Sequence, residues 1–134
     1  MNHTTPHIVI LGAGFAALKA ARELRRQAPH ASIRIVSPSL MFVYLPSLIW
    51  IPTGLRQGAD LCLPLQPFLD KHRLQHTQAS VTGLRDGGRI VQTDHGEIHN
   101  DALIIATGGR FIKQLPGIEH ALTLCEGISA AETI

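Results

Sequence analysis

The sequence predicts an α/β fold in which a parallel sheet, built around a βαβ unit, carries a three-stranded antiparallel β-meander. Three observations predict it. His7-Ile-Val-Ile-Leu11 is a continuous β-branched run of the kind required by a strand buried on both faces. A glycine turn, an amphipathic segment and a second β-branched run follow, and a helical crossover of this kind makes its two strands parallel. Farther on, Asp86-Gly-Gly88 and Asp94-His-Gly96 punctuate short extended runs, the pattern of tight antiparallel turns.

Each element has its own justification. Between Phe15 and Ala28 the residues Ala17, Ala21, Leu24 and Ala28 share one helical face, while Lys19, Arg22, Glu23, Arg25 and Arg26 take the other, so a helix is expected to end near Pro29. Ser32-Ile-Arg-Ile-Val36 is the second strand, closed by Ser37-Pro38-Ser39. The stretch holding Phe42, Tyr44, Leu48, Ile49 and Trp50 lies among prolines with no sustained period and reads as irregular. Pro64 suits the first turn of a short helix running to about His72, with Leu65, Phe68 and Leu69 as its apolar stripe. Leu74 to Arg85 reads as extended and the meander as about 79–99. Asp101-Ala-Leu-Ile-Ile105 reads as another buried strand, and Glu126 to Ile134 as helical.

Composition narrows the function classes. The 134 residues carry 12 Lys+Arg against 10 Asp+Glu, and charged residues make up only 16%, without the clustered basic face that a nucleic-acid partner requires. No nucleic acid is expected. Two cysteines, Cys62 and Cys125, are too few for a disulfide framework, and the first residues lack the order of a signal peptide, so the chain reads as cytoplasmic. The most apolar stretch, Leu40 to Pro52, is shorter than the roughly 20 residues needed to span a bilayer and is broken by Pro46 and Pro52. The eight histidines are scattered without companions at ligand spacing, and no metal site is expected.

Chemistry concentrates in Gly12-Ala13-Gly14-Phe15-Ala16-Ala17, the GxGxxG/A pattern placed after a buried strand and opening a helix. Gly12 permits the tight turn, Gly14 removes the side chain that would block a pyrophosphate, and Ala17 lets helix and strand pack closely. The anion would sit on N–H groups at the positive end of the helix dipole. The bland alternative is a plain glycine-rich turn. The acidic residue that a dinucleotide fold places after its second strand is replaced by Ser37, which reads either as a ribose contact with one hydrogen bond to offer or as a simple turn residue. Arg34 falls on the solvated side of the sheet end.

The strand-GxGxxA-helix opening, together with a meander ending in Asp101-Ala-Leu-Ile-Ile-Ala-Thr-Gly108, resembles the FAD-binding half of the flavoprotein pyridine nucleotide-disulfide oxidoreductase superfamily. Phe42-Val-Tyr-Leu-Pro-Ser-Leu-Ile-Trp50 followed by Gly54 is similar to a segment of sulfide:quinone oxidoreductases and flavocytochrome c sulfide dehydrogenases that passes beside the flavin, with type II NADH:quinone dehydrogenases as cousins. The resemblance implies an incomplete Rossmann-like FAD-binding domain. It assigns 1–111 to the first segment of that domain and 112–134 to the lead into a second dinucleotide-binding domain.

Roles follow from the resemblance residue by residue. Gly12, Gly14, Phe15 and Ala16 would meet the FAD pyrophosphate, and Ser37 and Pro38 the adenosine ribose. Ala79, Ser80 and Val81 would offer backbone groups to the adenine, Pro46 would lie near the flavin ring, and Ala106, Thr107 and Gly108 would close over the cofactor. Pro46 also reads as a loop breaker and Val81 as a core residue. Cys125 reads either as a redox residue, at the start of a helix whose dipole favours a thiolate, or as core packing; adjacent Glu126 opposes the thiolate. Cys62 is a core or loop residue, and Glu119 and His120 belong to an exposed loop. The implied activity is passage of two electrons from sulfide through FAD to quinone, with NADH as the alternative donor and a non-catalytic nucleotide-binding module as the alternative class. A piece of this kind is expected to be inactive alone, to self-associate through uncovered apolar surface, and to reach a membrane surface only peripherally, through sequence beyond it.

Overall fold

The computed structural model describes residues 5–110 and 112–134. Strands β1 (His7–Leu11), β2 (Ser32–Ser37), β5 (Gln75–Gln78) and β9 (Ala102–Ile105) form a parallel sheet in the order β5-β2-β1-β9. Leu11 stands opposite Val36 on one side and Ile105 on the other, so the carboxyl ends of the strands are aligned. Helix α1 (Phe15–Gln27) makes the crossover from β1 to β2 and buries Ala17 and Ala21 completely.

The period-2 alternation of the strands divides the core. Val9, Leu11 and Val36 point to the face they share with Ala79 and Val91, against which Ile98 and Leu103 also pack. Ile8, Ile10, Ile33 and Ile35 alternate with them on the opposite face and are all buried. Each such side chain contributes roughly 1.5–3 kcal/mol, so β1 and β2 carry the stability of the sheet.

The strand over 102–105 departs from its expected burial. Ala102 is exposed and Ile105 is 63% exposed, because β9 ends the sheet and has a strand partner on one side only among the described residues. The extended stretch 74–85 also proves to be two strands: β5 joins the parallel sheet beside β2, and β6 (Val81–Arg85) begins the meander. There β6, β7 (Ile90–Thr93) and β8 (Gly96–His99) pair antiparallel, with an irregularity between Val81 and Gly83.

Helix α2 (Gln66–His72) starts later than expected. Pro64 ends a short strand, β4 (Cys62–Pro64), and Pro67 fills the first helical turn, where its missing N–H has no helical partner to lose. Leu65 and Leu69 are buried, as the stripe predicted, and Arg73 closes the helix in a left-handed conformation.

The chain divides into two units, one of residues 1–40 and 64–108, the other of 41–63 and 109–134. The second unit is nearly all short turns. Strand β3 (Met41–Val43) pairs with β4, and 3-10 turns cover Leu45–Trp50, Gly58–Leu61, Ile118–His120 and Leu124–Glu126. Helix α3 (Ile128–Thr133) closes it. Leu48, Ile51, Leu61 and Ala131 form its small core, with Leu124 and Ile128 packed against them. The helix expected from Glu126 therefore begins two residues later, behind Gly127, whose φ of 106° suits glycine.

Candidate dinucleotide-binding site

The candidate residues of the sheet unit gather at the carboxyl ends of its strands. Gly12 has φ +101° and donates its N–H to Val36 O at 2.8 Å. A Cβ there would stand 2.3 Å from the carbonyl oxygen of Ala106, so both the backbone angle and the turn after β9 require glycine. Ala106 in turn donates its N–H to Leu11 O at 2.9 Å. Thr107 and Gly108 follow, both exposed.

Gly14 differs in every respect. Its φ of −83° and ψ of −172° are open to any residue, and a Cβ there would meet nothing within 4 Å. Neither conformation nor packing requires glycine. The missing side chain leaves open space in front of α1, which starts with no side-chain cap and no acidic residue in its first turn. Its last turn carries Arg25 and Arg26, which suit the negative end of the dipole, while the positive end is left for an outside anion. Phe15 and Ala16 are exposed beside this space and Ala17 is fully buried, so the donor set and the room fit a pyrophosphate.

At the end of β2, Ser37 is 5% exposed. Its hydroxyl donates to Ser39 O at 2.8 Å and lies 2.9 Å from His76 Nε2, so it serves the turn that carries exposed Pro38 and Ser39. Gln78 holds the same turn from β5, donating its side-chain amide to Pro38 O at 3.2 Å. Burial pushes the His76 pKa down. Arg34 directs its guanidinium to Gln75 Oε1 at 2.8 Å, outside this cluster.

The backbone of 79–81 is partly committed. Buried Ala79 donates its N–H to Ser37 O at 3.1 Å. Ser80 exchanges two hydrogen bonds with Asp94: its N–H donates to Asp94 Oδ1 at 2.9 Å, and its carbonyl accepts the Asp94 N–H at 3.1 Å. The Ser80 amide and His95, 2.9 Å away, hold the Asp94 carboxyl below the usual carboxylate range. Val81, at the start of β6 opposite Thr93, is 37% exposed.

Two candidates belong to the other unit. Pro46 is exposed in the first turn of the 3-10 helix Leu45–Trp50. Cys125 falls in the 3-10 turn Leu124–Glu126, ahead of Gly127, so it does not start α3 as the sequence suggested, and its side chain lies outside the described residues. Glu126, expected to oppose a thiolate there, is paired with Lys113 at 2.5 Å. Glu119 and His120 are largely exposed, in keeping with a loop.

The sequence pattern does not single out His76 or Asp94: His76 is one of eight scattered histidines, and Asp94 a turn residue. Their partners, Ser37 and Ser80, lie 39 and 14 residues away, and no local pattern announces such pairs. Among the described residues no group of three or more His, Cys, Asp or Glu could hold a metal ion, and no helix is long and apolar enough to cross a membrane.

Comparison with known proteins adds to this geometry. Residues 6–134 match the family described as pyridine nucleotide-disulphide oxidoreductase. The chain is 28% identical over 129 residues to the sulfide-quinone reductase of Aquifex aeolicus, a match that covers 95% of this chain and 30% of that protein. It is 27% identical over 131 residues to the type II NADH:quinone oxidoreductase of Staphylococcus aureus, covering 93% of this chain and 32% of the relative. The crystal structure of the Aquifex aeolicus sulfide:quinone oxidoreductase superposes with a TM-score of 0.85 at 27% identity, over 96% of this chain and 30% of that one. The chain thus spans about a third of the length of these relatives.

Proposed function

Because the chain belongs to the pyridine nucleotide-disulphide oxidoreductase family, we propose that it is the first FAD-binding segment of a flavoprotein oxidoreductase, with sulfide as electron donor and quinone as acceptor. The open space at Gly14, before an uncapped helix N-terminus, carries the cofactor reading. FAD, when bound, supplies the two-electron chemistry, and the protein supplies binding and orientation. Gly12 fixes the turn, Gly14 clears the room, and the start of α1 presents N–H groups and a positive dipole end to the pyrophosphate. Pro38 and the 79–81 backbone would border the adenosine, and Thr107 and Gly108 the opposite side of the cofactor.

The sulfide reading is supported by the similarity to sulfide-quinone reductase over 95% of the chain, and Cys125 would take part in the sulfide site. The NADH:quinone relative, at nearly equal identity, supports the alternative donor. Anaerobic titration of the FAD-loaded protein at its full natural length separates the readings. Bleaching of the oxidised-flavin absorbance by sulfide, with little response to NADH, is the expected result. Bleaching by NADH alone moves the protein to the other branch, and failure to retain any FAD reduces it to a non-catalytic module.

A further inference from the structure

The end of β2 lacks the carboxylate that a dinucleotide fold uses to hold ribose hydroxyls. In its place stands a relay. The Ser39 carbonyl can only accept a hydrogen bond, so the single Ser37 hydroxyl proton must go to it, at 2.8 Å. The Ser37 oxygen is then the acceptor of the 2.9 Å contact with His76 Nε2, and the imidazole must carry its proton on that nitrogen. A side chain on β5 therefore reaches through a buried hydroxyl and fixes a backbone carbonyl in the turn after β2. Gln78, two residues beyond His76, pins the preceding carbonyl, that of Pro38. The Ser37 carbonyl accepts the Ala79 N–H at 3.1 Å, so three successive carbonyls of this turn are held from 76–79.

We propose that His76 is a positioning residue for the adenosine end of the cofactor: through Ser37 it sets the Ser37–Ser39 turn as the rigid edge against which the ribose lies, in place of a direct carboxylate contact. This rests on the dinucleotide reading above. His76 does not touch the cofactor. Its contribution is preorganisation, since a turn already fixed by the relay loses less freedom when the ribose binds.

The test uses the apo-protein at its full natural length, with FAD and, separately, ADP as probes. His76→Leu removes the donor and should weaken both FAD and ADP about fivefold to tenfold, the worth of one net hydrogen bond. His76→Gln keeps an N–H donor on a side chain of similar reach and should restore both to within about twofold of the wild type. Nitrogen NMR of the wild-type imidazole should show a protonated Nε2. A change in melting temperature alone, with both affinities kept in His76→Leu, overturns the proposal. So does a His76→Gln protein no better than His76→Leu, an effect on FAD without one on ADP, or an unprotonated Nε2. A wild-type protein that binds neither probe removes the dinucleotide reading itself, an outcome distinct from any loss confined to the variants.

Discussion

The two ends of the parallel sheet are built by opposite means. At the amino end, side chains tie the strands down. Arg25, on the last turns of α1, donates to four carbonyls: Pro29 O and Ala31 O, which lead into β2, and His72 O and Arg73 O, which lead toward β5, all at 2.8–2.9 Å. Asp101 does the same for the other pair of strands, exchanging N–H donation with His7 through its carboxylate and backbone at 2.8 Å. At the carboxyl end, the turn after β1 is held by backbone contacts that the missing side chain of Gly12 permits, while the missing side chain of Gly14 leaves open room in front of α1. Two of the side chains that do act there are His76, half-buried against buried Ser37, and Asp94, which holds Ser80 at the exposed surface. Side-chain anchoring is concentrated at the amino end, and the end proposed to face the cofactor is kept open and preformed. This is the division expected of an open α/β sheet, whose ligands bind outside the carboxyl ends of its strands.

Gly12→Val strikes a tightly packed point at the carboxyl end, and it should be the most damaging change. A Cβ 2.3 Å from a backbone oxygen, at a φ of +101°, combines overlap with left-handed strain and should lower stability by about 3 kcal/mol or more, read as the denaturation midpoint. A midpoint close to wild type would show that the β1 and β9 turns can separate freely, and the carboxyl end would then be less preformed than the contrast requires.

Arg25→Met tests the amino end. The variant keeps the apolar stem but leaves four carbonyls without their charged donor, and about 2–3 kcal/mol should be lost, since several of them can turn to water. Binding of FAD should be unchanged, because nothing at the glycine turn depends on this guanidinium. A variant that keeps full stability but loses cofactor would reverse the assignment of the two ends.

Asp94 offers a smaller, pH-dependent test. Its carboxyl titrates lower in the folded chain than in the unfolded one, mainly because the Ser80 amide donates to it. Its contribution is therefore present in full above the unfolded pKa and is lost as pH falls through the folded value. Asp94→Asn should reduce stability near neutral pH, with the difference closing in acid. A difference that persists unchanged at low pH would assign the effect to something other than the carboxylate.

The same contrast explains what was legible in the sequence. The sheet unit announces itself because β1 and β2 are short runs rich in Ile and Val and α1 has a regular apolar face, signals that depend only on neighbours in the chain. The glycine pattern was equally legible, since its spacing encodes a turn. The burial of β9 was misjudged because a run such as Ala-Leu-Ile-Ile has the same composition at a sheet edge as at its centre. Pro64 reads as a first-turn residue for a related reason: two prolines three residues apart both suit a first turn, and it is the pairing of Cys62–Pro64 as a strand that leaves Pro67 to the helix. In the second unit the stretch around Phe42 to Trp50 reads as irregular and only Glu126 to Ile134 as helical, because the short turns around Leu48 and Leu61 have no period to detect. Arg25 falls on the polar face of α1 in the sequence pattern, because the carbonyls it gathers come from segments up to 48 residues away.

Gly14→Asp is expected to have the smallest effect on stability and the clearest on function, with opposite signs. The position has the extended backbone of a helix N-cap, open space around its Cβ, and no side-chain cap to displace. Aspartate is among the best N-caps and its charge complements the dipole, so the variant should gain about 0.5 kcal/mol. The same carboxylate would occupy the room and bond the N–H groups proposed for the pyrophosphate, and would repel it. FAD binding should be abolished while the melting temperature holds or rises. If FAD affinity survives, the pyrophosphate does not lie at this helix end. If stability falls sharply, Gly14 is a structural glycine like Gly12, and the carboxyl end of the sheet is not the open end described here.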